Sequence, residues 1–145
     1  MEGNKKGITI AIDFDGTCVT HEYPNVGRDI GAAPVLRKLV ENGHKLILWT
    51  MRDDKGQVPI IGTEETATAN FLQDAVDWFK KNDIPLYGIQ RNPTQYNWTT
   101  SPKAYAQLYI DDAALGCPLI RPANERPFVD WDEVEFLLHT KGLIK

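Results

Sequence analysis

The stretch Ile8 to Thr17 begins as a run of apolar residues and ends in two aspartates and a glycine. The run is rich in isoleucine and lies between Gly7 and Gly16, which is the composition of a strand buried on both faces. Asp13 and Asp15 are two residues apart, so in continued strand geometry both side chains leave the same side, about 6 to 7 Å apart along the chain. That separation suits one divalent cation. We therefore expect chemistry at the end of this strand.

The order of the segments that follow predicts an α/β fold. A helical pattern at Ala33 to Asn42 precedes a second apolar run at Lys45 to Thr50, and strand, helix, strand in this order indicates a parallel unit. The remaining predictions are a loop at Met51 to Thr63, a helix at Glu64 to Asn82, strands at Leu86 to Ile89 and at Gln107 to Asp111, and a capped helix at Asp130 to Lys141. With 145 residues, the whole chain, 1–145, is predicted to be one domain.

Composition excludes several classes of protein. The apolar and charged fractions are ordinary for a globular chain, and a net charge of −4 without a basic run provides no surface for tight nucleic-acid binding. No apolar segment has the length of a membrane span, and Met1 to Lys6 lacks the features of a secretion signal. We expect a cytoplasmic protein. Cys18 and Cys117 fit no metal-ligand spacing and are expected to be reduced thiols.

Residues able to do chemistry follow each predicted strand of the parallel sheet. In such a sheet Asp13, Thr50, Arg91 and Asp111 fall at one edge, because the carboxyl ends of all strands meet there. Asp15 and Asp112 add to a dense group of carboxylates that repel one another unless a cation neutralises them.

Hard oxygen ligands of this kind suit Mg²⁺. A carboxylate beside the metal can attack phosphorus and form an aspartyl-phosphate. Lys103, just before the last of these strands, would offset the charge of the nucleophile and the phosphate.

Four segments in this order resemble the motifs of the haloacid dehalogenase (HAD) superfamily of phosphohydrolases. They are Asp13-Phe14-Asp15-Gly16-Thr17, Thr50 after Leu46-Ile47-Leu48-Trp49, Lys103, and Tyr109-Ile110-Asp111-Asp112. The resemblance covers about Ile8 to Gly116. It implies a Rossmann-like three-layer sandwich around a central parallel sheet.

The resemblance also implies a role for each matching residue. Asp13 would be the nucleophile, and Asp15 would protonate the leaving group and later activate water. Thr50 would bind phosphoryl oxygens, and Lys103 would orient Asp13 and the phosphate. Mg²⁺ would be held by Asp13, the backbone carbonyl of Asp15, and Asp111, with Asp112 a direct or indirect partner.

Asp15 favours ester hydrolysis over the other reactions of the superfamily. Halide leaves without a proton, whereas an alkoxide needs one, so a general acid at this position suits a phosphate ester. The related transport ATPases have a lysine there and large extra domains. The spacing between motifs has no room for a cap domain over the site. An open site needs a large substrate or a neighbouring subunit to exclude water, so a homo-oligomer is one expectation.

Each candidate also has a structural alternative. The Asp-x-Asp-Gly pattern occurs in turns and calcium loops, Thr50 could simply end a strand, Lys103 could be an ordinary surface lysine, and Asp112 could cap a helix. Arg52 and Arg91 are candidates for substrate binding, with surface ion pairs as the alternative. Tyr96 and Trp98 could stack on a substrate or cover their own loop, and His21 could face the site or solvent.

These observations predict a Mg²⁺-dependent phosphomonoester hydrolase acting on a small phosphorylated metabolite or nucleotide. A phosphorylated polymer end, nucleic acid or protein, is the alternative substrate, and the acidic charge makes it the weaker one. A non-hydrolytic binding or regulatory module on the same scaffold is the alternative from another class. No membrane partner is expected.

Overall fold

The structure, a computed structural model, describes residues 7–145. The predicted absence of a secretion signal at Met1 to Lys6 lies outside the described residues. In chain order the strands are β1 (Thr9–Ile12), β2 (Lys45–Leu48), β3 (Gly56–Pro59), β4 (Thr66–Ala69), β5 (Gly88–Ile89), β6 (Leu108–Ile110), β7 (Leu119–Ile120) and β8 (Phe128–Val129). The helices are α1 (Ala32–Glu41), α2 (Phe71–Lys81) and α3 (Trp131–Thr140).

A four-stranded parallel sheet, in the order β5-β2-β1-β6, forms the centre of the molecule. The apolar run of β1 occupies an interior position, with Ile10 and Ile12 fully buried. Ile12 is in register with Leu48 of β2 and with Ile110 of β6. The residues that follow these strands therefore start at one level on one edge. The parallel arrangement predicted from the order of segments is confirmed.

Three amphipathic helices complete an α/β sandwich around this sheet. Helix α1 buries Val35, Leu36 and Leu39, and α2 buries Trp78 and Phe79. The ring of Phe14, just after β1, lies edge-on against Trp78 at 5.8 Å between centroids. Helix α2 therefore packs directly against Phe14, a residue of the first motif.

The predicted cap of the last helix is present. The Asp130 side chain accepts hydrogen bonds from the backbone N–H groups of Asp132 and Glu133, at 3.2 and 3.3 Å.

Among the described residues, no helix is long and apolar enough to cross a bilayer.

The second helix begins later than the sequence predicts. Residues 56–69 form an antiparallel hairpin of β3 and β4, so the predicted helix over Glu64 to Asn82 is wrong for its first turns. Alternating threonine and alanine at 66–69 suits a strand, and the apolar period that predicts the helix extended into it. Asp54 accepts hydrogen bonds from the N–H groups of Leu72 and Gln73, which caps the helix from a distant part of the chain.

A second hairpin, β7 with β8, also goes beyond the prediction and leads the chain from β6 to α3.

Candidate active site

Three carboxylates converge where β1 and β6 end. Oxygen atoms of Asp13, Asp111 and Asp112 all lie within 4.8 Å of one another, and all three residues are half-buried. The sheet register causes this, because the N–H of Asp13 donates to the carbonyl of Ile110 at 3.0 Å. The predicted meeting of the first and last motifs is therefore observed for these three residues.

Thr17 links the two motifs directly. Its buried hydroxyl donates to Asp13 Oδ2 at 2.8 Å and accepts from the N–H of Asp112 at 3.0 Å. The chain turns at Gly16 with φ +82°, which brings Thr17 back beside Asp13. Thr17 was not among the predicted site residues, although its place after Asp-Gly put a hydroxyl beside the carboxylates.

His21 joins the same group of side chains. Its Nε2 lies 2.7 Å from Asp112 Oδ2. A Cβ at Gly16 would collide with the His21 ring and come within 2.5 Å of Asp112 Oδ2, so glycine permits this approach. Asp111 instead accepts from the N–H of Ala113 at 2.9 Å. A turn and not a helix follows Asp112, so the helix-capping alternative considered for Asp112 does not hold.

The crowding of carboxylates has a clear electrostatic effect. Burial raises the pKa of Asp13 to about 8, and the nearby charge of Asp111 adds to the rise, while the bond from Thr17 opposes it. Burial also raises the pKa of Asp111. Because a cation would stabilise the ionised forms, a donor set made of carboxylate oxygens alone fits a hard divalent ion such as Mg²⁺.

The Asp15 carboxylate lies apart from this cluster and pairs with Arg52. Arg52 Nε and one terminal nitrogen donate to the two Asp15 oxygens at 2.8 and 2.7 Å. A bidentate pair of this type is strong and directional. The structure therefore places the Asp15 side chain outside the carboxylate cluster. The predicted metal contact of Asp15 is through its backbone carbonyl, and it stays a prediction.

Arg52 was a predicted candidate for binding phosphate, but in the structure its donors are used within the protein. Its side chain is 1% exposed, and its remaining N–H groups donate to the carbonyls of Pro24, Asn25 and Phe71 at 2.9–3.2 Å. A guanidinium group has five N–H donors, and all five are engaged. The group also lies over the rings of Phe14 and Tyr23, at 5.1 and 5.2 Å from their centroids. No donor remains for a substrate.

Thr50 opens onto the same cavity as Asp13. Its hydroxyl oxygen accepts from the N–H of Arg52 at 3.2 Å, and among residues 7–145 its own proton has no acceptor, so a ligand can receive it. The Gln90 side chain accepts from the N–H of Thr50 and donates to its carbonyl, at 2.9 and 2.6 Å. Gln90 was missed by sequence reasoning, because its contact with the second motif depends on the pairing of β5 with β2.

Lys103 lies outside this cavity. It is exposed, and its Nζ is 5.6 Å from the ring centroid of Tyr109. It lines a neighbouring cavity with Trp98 and Tyr105, whose rings stack edge to face at 5.2 Å. Within residues 7–145 no ion pair joins Lys103 to Asp13. The predicted orientation of Asp13 by this lysine is not seen in the structure.

The cavity that contains Asp13 has a volume of about 540 Å³. Its walls combine carboxylates, hydroxyls, amides and rings. They are formed by Asp13, Trp49, Thr50, Met51, Gln90, Arg91, Gln95, Tyr96, Thr99, Thr100, Ser101, Pro102 and Asp111. Arg91 lies over the Tyr96 ring at 4.7 Å from its centroid. Of the two predicted stacking rings, Tyr96 faces this cavity and Trp98 faces the neighbouring one.

Comparison with known proteins adds one structural relative. No family model matches the chain, and no curated protein matches it. The chain is similar to a solved structure described as a conserved protein from Bacteroides thetaiotaomicron, with 29% sequence identity and a TM-score of 0.66. The likeness covers 94% of this chain and 93% of the other, so it extends over nearly the full length of both.

Proposed function

We propose that this chain is a HAD-type phosphohydrolase that cleaves phosphate monoesters with Mg²⁺ through an aspartyl-phosphate on Asp13. The observation that carries the proposal is the meeting of Asp13, Asp111 and Asp112 at the edge of the parallel sheet, beside a cavity that also exposes Thr50. The central sheet in the order β5-β2-β1-β6 is consistent with the Rossmann-like fold of that superfamily.

The chemistry at Asp13 consists of two displacements at phosphorus. An Asp13 oxygen attacks the phosphorus, the P–O bond to the leaving group breaks, and the leaving oxygen takes a proton from Asp15. Water then attacks the same phosphorus while Asp15 takes its proton, and inorganic phosphate leaves as Asp13 regains its carboxylate. The net reaction is ester plus water to alcohol plus phosphate.

The surrounding residues would prepare this reaction. Mg²⁺, when held by Asp13, Asp111 and Asp112, would offset the negative charge of the carboxylates and the phosphoryl group. Thr17 fixes the Asp13 carboxylate through its 2.8 Å hydrogen bond. The Thr50 hydroxyl, whose proton has no acceptor in the described part of the chain, would donate to a phosphoryl oxygen.

Two features require movement in this mechanism. Both Asp15 oxygens accept bonds from Arg52, so Asp15 has to release at least one of them before it can exchange a proton with a substrate. Lys103 would have to leave the Tyr109 ring to reach the phosphate. Both observations favour the second candidate, a non-hydrolytic binding module that uses the carboxylate cluster for a metal alone.

The hairpin β3–β4 is the segment inserted between β2 and α2, and we propose that the enzyme has no cap domain beyond it. None of the hairpin residues whose side chains are described lines the Asp13 cavity. The volume of the cavity suits a small phosphate ester better than a polymer end.

Phosphate release from an aryl phosphate, with and without Mg²⁺, tests the proposal. We expect turnover that needs Mg²⁺ and is lost in Asp13→Asn. Asp83→Asn is the matched control, because Asp83 is exposed at the end of α2 and its left-handed backbone, φ +57°, tolerates asparagine. An inactive wild type whose melting temperature still rises with Mg²⁺ would support the binding module instead.

A further inference from the structure

Arg91 is the one basic residue among the described residues that line the Asp13 cavity. It is exposed, and its guanidinium lies over the Tyr96 ring at 4.7 Å. Within residues 7–145 its side chain makes no hydrogen bond and no ion pair, in contrast to Arg52. A guanidinium that lies over a ring and belongs to a residue lining a cavity, with no described polar partner, is ready to bind an anion.

The charges of the cavity lie apart from one another. Asp13 and Asp111 provide the acidic part, where a metal would offset their negative charge and that of the transferred phosphoryl group. Arg91 follows β5, Asp13 follows β1, and β2 lies between these two strands. At about 4.8 Å between neighbouring strands, the two strand ends are roughly 10 Å apart. Because both residues line the same cavity, a leaving group of a few carbon atoms can span the distance between them.

The loop that carries Arg91 is held in place by its neighbours. Gly88 lets the chain fold back, because a Cβ there would collide with the Arg91 carbonyl and come within 3.1 Å of the Pro93 ring. The next residue in the loop, the buried Asn92, donates from its side chain to the carbonyl of Tyr105 at 3.0 Å. A binding group on a fixed loop loses little freedom when it engages a ligand.

We infer that Arg91 recognises a second anionic group, carried by the leaving group of the ester. The substrate class is then short phosphomonoesters whose alcohol bears its own carboxylate or phosphate. Arg91 offers a planar pair of donors that fits either anion, and the hydroxyls of Thr99, Thr100 and Ser101 add neutral donors to the cavity. This inference rests on the proposed phosphohydrolase activity and assigns Arg91 to specificity, not to the transferred phosphate.

Matched ester pairs test this assignment. The carboxylate pair is 3-phosphoglycerate against glycerol 1-phosphate, and the phosphate pair is 1,3-propanediol bisphosphate against 3-hydroxypropyl phosphate. We expect the wild type to prefer the anionic member of at least one pair in kcat/KM. In Arg91→Gln that preference should fall roughly 10- to 100-fold, the value of a charge-assisted bond, and Arg91→Lys should restore part of it.

Arg126→Gln is the matched control, because Arg126 is exposed and lies outside the described lining of the cavity. Its activity and preference should equal those of the wild type. The pair with the larger preference tells whether the second anion is a carboxylate or a phosphate.

Two outcomes would overturn the inference. Equal losses for both members of a pair in Arg91→Gln would mean that Arg91 contacts the transferred phosphoryl group. Mg²⁺-dependent hydrolysis without any preference in the wild type would show that no second anion is recognised. Absence of hydrolysis for all four esters and for an aryl phosphate is distinct from both, because it overturns the proposed function and this inference together.

Discussion

Replacing Arg52 with methionine should lower the free energy of unfolding by about 3 to 5 kcal/mol. Methionine keeps an apolar stem but removes the guanidinium that lies over the Phe14 and Tyr23 rings, so the main loss is the charge with its hydrogen bonds and ring contacts. The Asp15 carboxylate, whose side chain is 16% exposed, would lose its only described ion-pair partner in residues 7–145. Each of the three carbonyls that Arg52 satisfies adds about 1 kcal/mol where no water replaces it.

Thermal and urea unfolding followed by circular dichroism would measure this effect. For a domain of this size the melting temperature should fall by roughly 6 to 20 °C. The control is Arg37→Met, because Arg37 makes a single described side-chain hydrogen bond, to the Asn82 carbonyl at 2.7 Å, and should cost about 1 kcal/mol.

A second substitution isolates the charge. Asp15→Asn in the Arg52→Met background removes the unpaired carboxylate, so the double variant should be more stable than Arg52→Met alone. A loss of less than about 1 kcal/mol in the free energy of unfolding of Arg52→Met, or no gain in stability on adding Asp15→Asn, would contradict this prediction.

Three further predictions follow from the same contacts. Because burial and the charge of Asp111 raise the pKa of Asp13 from 3.8 to about 8, the metal-free protein should lose stability as pH rises from about 4 to 8. Thermal melts with a chelator should show this slope in the wild type and a flatter one in Asp13→Asn. A stability that rises across this pH range would contradict the prediction. With an aryl phosphate, Asp15→Asn should release aryl alcohol in a burst of about one equivalent and then turn over slowly. A good leaving group needs no proton, whereas hydrolysis of the phosphorylated enzyme needs a base. A steady rate from the start in stopped-flow absorbance would contradict the prediction. Gly16→Ala should lower the free energy of unfolding by about 1 to 3 kcal/mol, because the left-handed turn is strained for alanine. It should also weaken Mg²⁺ binding, measured by calorimetry, because the new Cβ displaces His21 and Asp112. An unchanged melting temperature would contradict the described turn.

The sheet and its acidic edge could be predicted from the sequence because they depend on local patterns. Strand β1 is an isoleucine-rich run, and parallel strands bring their carboxyl ends together whatever the loops do. Asp13, Asp111 and Asp112 therefore meet as predicted. The hairpin at 56–69 was missed because short alanine- and threonine-containing segments satisfy both the helical and the extended period.

The surroundings of the site could not be predicted in the same way. Arg52 is fixed by the carbonyls of Pro24 and Asn25 in one loop and of Phe71 at the start of α2, and no side-chain pattern encodes these backbone groups. The direction of Lys103 likewise depends on the path of the loop that precedes β6. The position of a strand end follows from topology, whereas the direction of a long side chain on a loop does not.

The measurement that tests the central claim most directly is the mapping of a phosphorylated residue by mass spectrometry. Asp15→Asn protein would be mixed with an aryl phosphate and Mg²⁺, quenched in acid and digested. We expect an acyl phosphate on Asp13 that hydroxylamine removes and that is absent from the double variant Asp13→Asn, Asp15→Asn. Turnover without a phosphorylated protein, or a phosphoryl group on any other residue, would contradict it.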